Sequence, residues 1–591
     1  MDTKLKLFSY FRKYLPLYFI ALLAVIFSIL LDMYAPIILQ HIVDDVIIAH
    51  NMEPLKILLL GILGIGVGRC IFQYTKEFLC DWSGSKIASE IRINLFQKIQ
   101  SLSANFFDGI NSGELMSRVT NDVDRIWDIT AFMGILMAEV IIRTITSMYF
   151  MVRINFFLSI IPIIGMGLSA FVAIKMEKKL DSIFGEVSQE NSELNNTAAE
   201  NLAGIRTVKA FAREGFEINK FHKHNQKYYE LNIDLSRVFV KYNPIIQIIT
   251  RTISVAVLLI GGIFVIKDVN GQKMTIGQLM AMISYAGNIV WPMEMLGWLT
   301  NGISSAKASI KKLNKIYEQI PQIKDESPLN AAQNDDDSVE ISGAQLFPMA
   351  DINGDVCFEN VTYSSNGRDI LKNVSFEIKS GQTLGIMGAT GSGKTTIINL
   401  LKRMYNVSSG SIKIDGIDIK DLPLQTLRKA ITCVMQDVFL FSDTIEGNIK
   451  LGERKTITNA QVKLALELSH SAEFVNKMEE KEQTVIGERG VGLSGGQKQR
   501  ITIARALARK TPILVLDDST SALDTETEHE IQEVLSELKG MTKIIIAHRI
   551  SAVRNADKII VLENGSVVES GTHEELINHN GLYKETYDSQ Y

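Results

Sequence analysis

The sequence predicts an all-α six-helix transmembrane domain with long helical extensions, followed by an α/β domain. Three observations carry that expectation. The first 310 of 591 residues hold long uncharged apolar runs. The remainder alternates short apolar strands, glycine-rich loops and amphipathic helices, as a soluble α/β enzyme does. Mean hydropathy is +0.12, high for a wholly soluble protein, and the first half is the cause. The expected division is residues 1–318 for the membrane part, 319–350 for a linker and 351–591 for the α/β part.

A span needs about 20 mostly apolar residues. Such runs lie near Leu15–Leu39, Leu55–Tyr74, Ile129–Val152, Ile154–Ile174, Pro244–Ile266 and Ile276–Leu299. Lys and Arg placement orients them. The N-terminal segment carries Lys4, Lys6, Arg12 and Lys13, and the segments Thr75–Ile126 and Lys175–Lys241 are rich in both residues. The connections near 40–56, 153 and 267–275 hold few. Both termini and the two long connections are therefore expected in the cytoplasm. Each connection reads as helical throughout, and at about 1.5 Å per residue each half of such a hairpin would reach roughly 35 Å beyond the bilayer. The start, MDTKLKLFSYFRKYLP, is amphipathic without a small-residue cleavage site, and reads as an interfacial lead-in to the first span.

Charges inside spans are costly and face a cavity or a partner. Glu139 and Arg143 are four residues apart and can meet on one helix face. Asp32 and Glu294 have no such local partner. Each is a candidate to face a solute pathway, with a structural role as the alternative. Met280, Met282, Met293 and Met295 suit an adaptable apolar lining or plain packing. A net charge of -5 argues against nucleic acid as a partner. Cys70, Cys80, Cys357 and Cys433 show no metal-like spacing and are expected as free thiols.

After the acidic, aperiodic stretch PQIKDESPLNAAQNDDDSVEISGAQLFPMA comes the chemistry. The strand Thr383–Met387 leads into Gly388, Ala389, Thr390, Gly391, Ser392, Gly393, Lys394 and Thr395, and an apolar helix follows from Thr396. This is a phosphate-cradling loop in its strand–loop–helix setting: glycines let backbone N–H groups curl around phosphates, and the helix N-terminus adds its dipole. Lys394 would reach the β- and γ-phosphates of ATP, and the Thr395 hydroxyl would coordinate Mg²⁺. Further on, the apolar run Ile513–Leu516 ends in Asp517 and Asp518, and an acid ending such a strand holds Mg²⁺ in P-loop ATPases.

Between them lies Leu493-Ser494-Gly495-Gly496-Gln497, followed by Lys498-Gln499-Arg500. With this string the chain resembles the ABC transporter superfamily. Chance would place it in under roughly one in a thousand chains of this length. Gln436 in VMQDVFLF resembles the family's Q-loop glutamine, a contact to Mg²⁺ and the membrane domain. Ser521-Ala522-Leu523-Asp524 resembles the D-loop, and His548 in IIIAHRIS the switch histidine at the γ-phosphate. TVIGERG, Thr484 to Gly490, resembles the segment that touches the membrane domain in exporters. FFDGINSGELMSRVTNDVDRI, ENLAGIRTVKAFAREGFEINKF and IGQLMAMISYAGNIVWPM extend the likeness through the membrane half, to half-transporters of the type IV (type I) exporter class. The resemblance implies ATP and Mg²⁺ as cofactors, and coupling helices near Phe107–Gly113 and Lys209–Phe216. It implies a catalytic set of Asp518, His548, Gln436 and Asp524, and a signature Ser494–Gln497 that acts on a partner's ATP.

Two positions depart from the family pattern. Asp518 stands where the family has a catalytic Glu. Ser365 stands where an adenine-stacking Tyr is usual, leaving Tyr363 as the strand aromatic nearest the nucleotide. Both fall on the side of the site that this chain's own phosphate loop builds. The pattern resembles the degenerate half of a heterodimeric multidrug exporter in a bacterial cell membrane. The expected partners are a second half-transporter, membrane lipid and an amphipathic, drug-like solute. A lipid or lipopeptide flippase and a homodimer with two slow sites are the alternatives. An ATP-gated channel or regulator is the reading from another class.

Overall fold

The computed structural model describes residues 4–267, 274–324, 352–365, 367–487, 490, 492–519 and 523–590, apart from the side chains at 293, 294, 296, 297, 300, 301 and 525. The chain forms two compact units, Met1–Leu102 with Ile110–Ile320 and Ser103–Gly109 with Pro321–Tyr591.

The first unit is helical. Helix α1 (Leu7–His41) runs into a π-helical segment, Ile42–Ile48. Helix α2 covers Leu55–Gln100, α3 Gly134–Ile154, α4 Phe156–Ala203, α5 Glu214–Ile266 and α6 Ile276–Tyr317. Helices α2, α4 and α5 have 46, 48 and 53 residues, well beyond the length of one span. Asn155 separates α3 from α4: its backbone is extended and its side chain accepts the Leu158 N–H at 3.1 Å, capping α4. Beyond the apolar part, Glu190 of α4 takes His224 Nδ1 at 2.7 Å and Lys227 Nζ at 2.8 Å, both from α5.

Among the described residues, five helices are long and apolar enough to cross a bilayer, against the six expected. Helix α6 is the long helix outside that group, and Gln278, Ser284 and Asn288 interrupt it. Its Ala281, Met282, Tyr285, Ala286 and Ile289 are fully buried, and Tyr285 Oη donates to the Met33 carbonyl at 2.6 Å. A helix with one face packed against protein can carry polar groups that find partners there. Met282 therefore belongs to the packed core. The side chains of Met293 and Glu294 lie outside the described residues.

Asp32, which has no partner nearby in the sequence, finds two across helices, as the structural alternative expects. Arg69 of α2 reaches its Oδ1 at 2.8 Å, and Arg143 of α3 its Oδ2 at 2.7 Å. Arg143 also meets Glu139 at 3.4 Å, and Lys76 of α2 closes on the other Glu139 oxygen at 3.0 Å. The side chains of Asp32, Arg143, Glu139 and Lys76 are 13, 12, 8 and 7% exposed. Three helices are thus joined by alternating charges, each neutralised by a neighbour, because an unpaired charge there would be strongly destabilising.

The second unit holds two sheets among the described residues. Strands β1 (Val356–Ser365), β2 (Arg368–Ile378), β4 (Ser409–Ile414) and β5 (Ile417–Asp418) form an antiparallel sheet in the order β2-β1-β4-β5. Strands β3 (Thr383–Gly388), β6 (Ile431–Val434), β7 (Ile513–Asp517), β8 (Thr542–Ile546), β9 (Lys558–Glu563) and β10 (Ser566–Gly571) form the other, in the order β10-β9-β3-β8-β7-β6. All its pairs are parallel except β9 with β10. Every residue of β7 is buried, which suits the unbroken apolar run of a central parallel strand.

The short helix Ala104–Asp108 belongs to this unit. Tyr405 Oη donates to Asp108 Oδ2 at 3.0 Å, and Ser103 Oγ accepts from the Ile323 N–H at 3.0 Å. Burial and the Asp108 carboxylate push the Tyr405 hydroxyl up to about 12. The helix sits slightly before the expected Phe107–Gly113. The second expected segment folds as a short helix, Ile205–Ala210, and turns at Ala212 (φ 49°) into α5 within the first unit. The linker from 325 onward lies outside the described residues.

Two outcomes follow from the packing of the first unit. Asp32→Ala strands Arg143 with one distant carboxylate, a loss of about 3–5 kcal/mol for a covered pair. The yield of monodisperse protein in detergent and its thermal midpoint should both fall, while Asp32→Glu should keep most of each. Wild-type stability with altered solute preference would make Asp32 a solute ligand instead. A Cβ on Gly84 would lie 2.5 Å from the Cβ and 2.8 Å from the Cα of Ala131, whereas Gly64 faces open space. Gly84→Val should cost about 1–3 kcal/mol and lower the midpoint. Gly64→Val should leave it in place.

Candidate functional site

The site is built where strand ends meet. Because β8 lies between β3 and β7, the C-terminal ends of all three are side by side. Ligands of open parallel sheets bind at such ends. Strand β3 ends in the loop of Ala389 to Gly393, which opens helix α7 (Lys394–Leu401); β7 ends in Asp517, and β8 leads through Ala547 to His548.

Two of the loop's glycines have no room for a side chain. Gly388 (φ 148°) would place a Cβ 2.3 Å from the Leu562 carbonyl, and Gly393 (φ 104°) one 2.5 Å from Leu371. Ala389, Thr390, Gly391 and Thr395 are exposed, Thr396 is half-buried, and Ser392 is 4% exposed. Lys394 Nζ donates to the carbonyls of Gly388 at 2.7 Å and Ala389 at 2.9 Å. Burial lowers its pKa, and Asp517 and Asp518 oppose that. Asp517 is 2% exposed; burial raises its pKa, and a hydrogen bond from Thr395 works against the rise.

The fit to a magnesium nucleotide rests on two atoms. Asp517 Oδ2 and Ser392 Oγ are buried without a hydrogen-bond partner. Buried polar atoms are nearly always satisfied, so an orphaned carboxylate oxygen beside a lysine and a loop of backbone N–H groups suits a cation and a phosphate.

Asp518 turns the chain with φ 45°, a left-handed conformation that Asp tolerates better than most residues. Its N–H donates to the Ile546 carbonyl at 2.9 Å, and its carbonyl accepts from Gln499 Nε2 at 3.3 Å. Gln436 and His548 are exposed. Asp524 caps helix α9 (Thr525–Glu537), accepting from the Thr527 N–H at 2.9 Å and hydroxyl at 3.0 Å, and these bonds lower its pKa. Ser521, Ala522, Glu488 and Arg489 lie outside the described residues.

The signature is a helix start. Ser494 caps α8 (Gly495–Ala508): its Oγ accepts the Gln497 N–H, and its own N–H donates to Gln497 Oε1 at 2.9 Å. This reciprocal capping box leaves Gly495 and Gly496 in the first turn with unobstructed backbone. Tyr363 takes a different place from the one expected: it is 9% exposed in the core, its ring tilted against Tyr405 at 5.6 Å, so it offers no open face for stacking.

Sequence reasoning missed three residues. Gln499, 1% exposed, holds the Asp518 carbonyl. Arg505 donates to the carbonyls of Phe439 and Asn448 and to Asn448 Oδ1, fixing the segment after Gln436; burial brings its pKa down to about 10. Gln590 bonds the backbone on both sides of Arg549. The first two lie within or just after the quoted string KQR, the available cue. Gln590 lies in no motif.

Two family models match: the ABC transporter transmembrane region at residues 18–293 and ABC transporter at 371–521. YknU of Bacillus subtilis (strain 168), an uncharacterized ABC transporter ATP-binding protein, is 35% identical, covering 100% of this chain and 98% of that one. YgaD of the same organism, whose name carries multidrug export, is 32% identical over 100% of both. The ATP-dependent lipid A-core flippase of Syntrophus aciditrophicus (strain SB) is 31% identical over 100% of this chain and 95% of that one. A solved bacterial Atm1-family ABC exporter with ATP bound superposes with a TM-score of 0.81 at 25% identity, over 98% of each chain. The chain is thus an integral membrane protein that belongs to the ABC transporter superfamily, among its ATP-driven exporters.

Proposed function

We propose that this chain is one half of a heterodimeric exporter that moves amphipathic, drug-like compounds outward, with its own ATP site degenerate. One observation carries the reading: an intact, capped signature helix on the same chain as a shortened acid at Asp518. The methylene missing from Asp518 draws its carboxylate back, and a misplacement of about 1 Å can cost about a hundredfold in rate.

In this reading the loop Gly388–Thr396 cradles the phosphates, with Lys394 at the β- and γ-phosphates. Thr395, Asp517 and Gln436 hold Mg²⁺, which neutralises phosphate charge when bound. His548 meets the terminal phosphate, and Asp524 fixes the helix behind the loop between the two halves. Ser494, Gly495, Gly496 and Gln497 complete the partner's site through the helix N-terminus. Both termini and the ATPase part face the cytoplasm of a bacterial cell, and the two long helical hairpins carry the movement to the membrane helices. A lipid solute is the second reading, supported by the likeness to lipid A-core flippases. Purified complex in vesicles, offered a fluorescent lipid in one set and an amphipathic dye in another, separates the two.

Two measurements test the site. Lys394→Ala should cut photolabelling of this chain by an ATP analogue at least about tenfold, since it removes the charge that meets two phosphates. Undiminished labelling would sink the assignment. For asymmetry, Gly495→Asp places a carboxylate at the helix start and should lower turnover of the complex by about 10²–10³-fold, as loss of a transition-state donor does. Replacing the partner's acid at the position corresponding to Asp518 should cost as much. Asp518→Asn should cost less than about threefold, because little chemistry depends on it. Equal losses from the two acids, or robust turnover by this chain alone, would mean two working sites.

A further inference from the structure

The loop that carries His548 is held by a residue more than 40 positions away. Gln590 Nε2 donates to the His548 carbonyl at 2.8 Å, and Gln590 Oε1 accepts the Ile550 N–H at 2.9 Å. One amide group therefore meets a donor and an acceptor on the two sides of Arg549. Only one orientation of that amide satisfies both, so the pair fixes where the backbone of the loop sits.

The clamp has a firm base. Gln590 ends helix α10 (Leu582–Gln590), whose first N–H groups, of Leu582 and Tyr583, both donate to the Glu569 carboxylate of β10. Tyr583 is 1% exposed, packed in a cluster with Ile550, Val553 and Leu576, and its hydroxyl meets His573 Nδ1 at 2.7 Å. On the other side of the loop, Arg549 donates to Glu528 of α9 at 2.8 Å, and Glu528 is 4% exposed. Leu582, Tyr583 and Thr586 line a cavity of about 420 Å³ together with Gly388–Ser392 and His548. The helix that carries the clamp thus shares a wall with the phosphate loop. The His548 side chain is exposed, so its reach depends on the backbone that Gln590 holds.

We infer that Gln590 is a positioning residue for His548: it sets the loop so that the imidazole reaches the terminal phosphate, and so tunes how strongly this chain's site prefers ATP over ADP. The inference rests on the proposed role of His548. It needs no hydrolysis at this site, and the test therefore reads nucleotide preference instead of turnover.

The experiment uses the full-length chain in its assembled exporter. A photoreactive ATP analogue labels this chain, and unlabelled ATP or ADP competes. The ratio of the two competition constants is the readout. Four proteins are compared with the unsubstituted one: Gln590→Ala, Gln590→Glu, His548→Ala and the double variant Gln590→Ala with His548→Ala. Gln590→Ala loses two backbone hydrogen bonds and should lower the ATP-over-ADP preference by roughly tenfold, with labelling at saturation unchanged. Gln590→Glu keeps the acceptor for Ile550 but sets a carboxylate against the His548 carbonyl, and should lose the preference as far. It carries the test alone should the alanine variant not assemble. In the His548→Ala background, Gln590→Ala should change nothing further, because the two act on one contact. An unchanged preference in both Gln590 variants, or losses that simply add in the double variant, would overturn the inference. If His548→Ala itself leaves the preference intact, the proposed role of His548 fails first.

Discussion

At the nucleotide site, every relation depends on one strand, β8, lying between β3 and β7. In a parallel sheet neighbouring strands end on the same side, about 4.8 Å apart. The order β3-β8-β7 therefore sets the phosphate loop, His548 and Asp517 in a row before any side chain is chosen. The surrounding contacts tie the strand ends down: Asp518 N–H to Ile546, and the Ala547 N–H to the Ile386 carbonyl at 3.2 Å. The apolar run of β7 follows, since a strand flanked on both edges and buried along its whole length can carry little else. The charges at Lys394 and Asp517 sit at the rim of that buried sheet. Burial lowers the Lys394 pKa and raises that of Asp517, and a bound phosphate or cation of opposite charge would work against each shift.

The first unit solves the same problem by pairing its charges among themselves. Arg69, Asp32, Arg143, Glu139 and Lys76 alternate in sign across α1, α2 and α3. In the ATPase unit a carboxylate oxygen is left without a partner; in the membrane unit Asp32 and Glu139 are each engaged through both oxygens. That contrast separates a site prepared for a ligand from a set of contacts that holds helices together.

Local strings were legible because they fix local geometry. The phosphate loop, the acid after an apolar strand and the capped signature are each complete within a few residues, and each could be read from spacing. Strand order was not, because β9 and β10, drawn from the C-terminal part, pair beside β3 through long-range contacts. The pair Glu139 and Arg143 was legible as a spacing of four, yet at 3.4 Å it is the longest link of its chain. The partner of Asp32 that mattered stood in another helix; Arg69 was visible within the second span, but nothing in the sequence aligns position 69 with position 32. Tyr363 illustrates a different limit. Strict alternation would set it on the opposite face from Phe358, but the register of β1 against β2 shifts between Phe358 and Val361, where Asn360 adopts φ 49°. One extra residue reverses the parity of everything after it, and the tyrosine turns into the core beside Phe358.

The contact between Gly84 and Ala131 has a mechanical consequence. Helices that touch through side chains can slide, because rotamers exchange as one surface moves over another. At Gly84 there is no such layer: α2 meets the backbone of the Asp128–Met133 segment directly. Two backbones in contact resist translation as a key resists being drawn sideways from its slot. A contact that close leaves α2 little room to slide past the chain leading into α3 unless the two first separate.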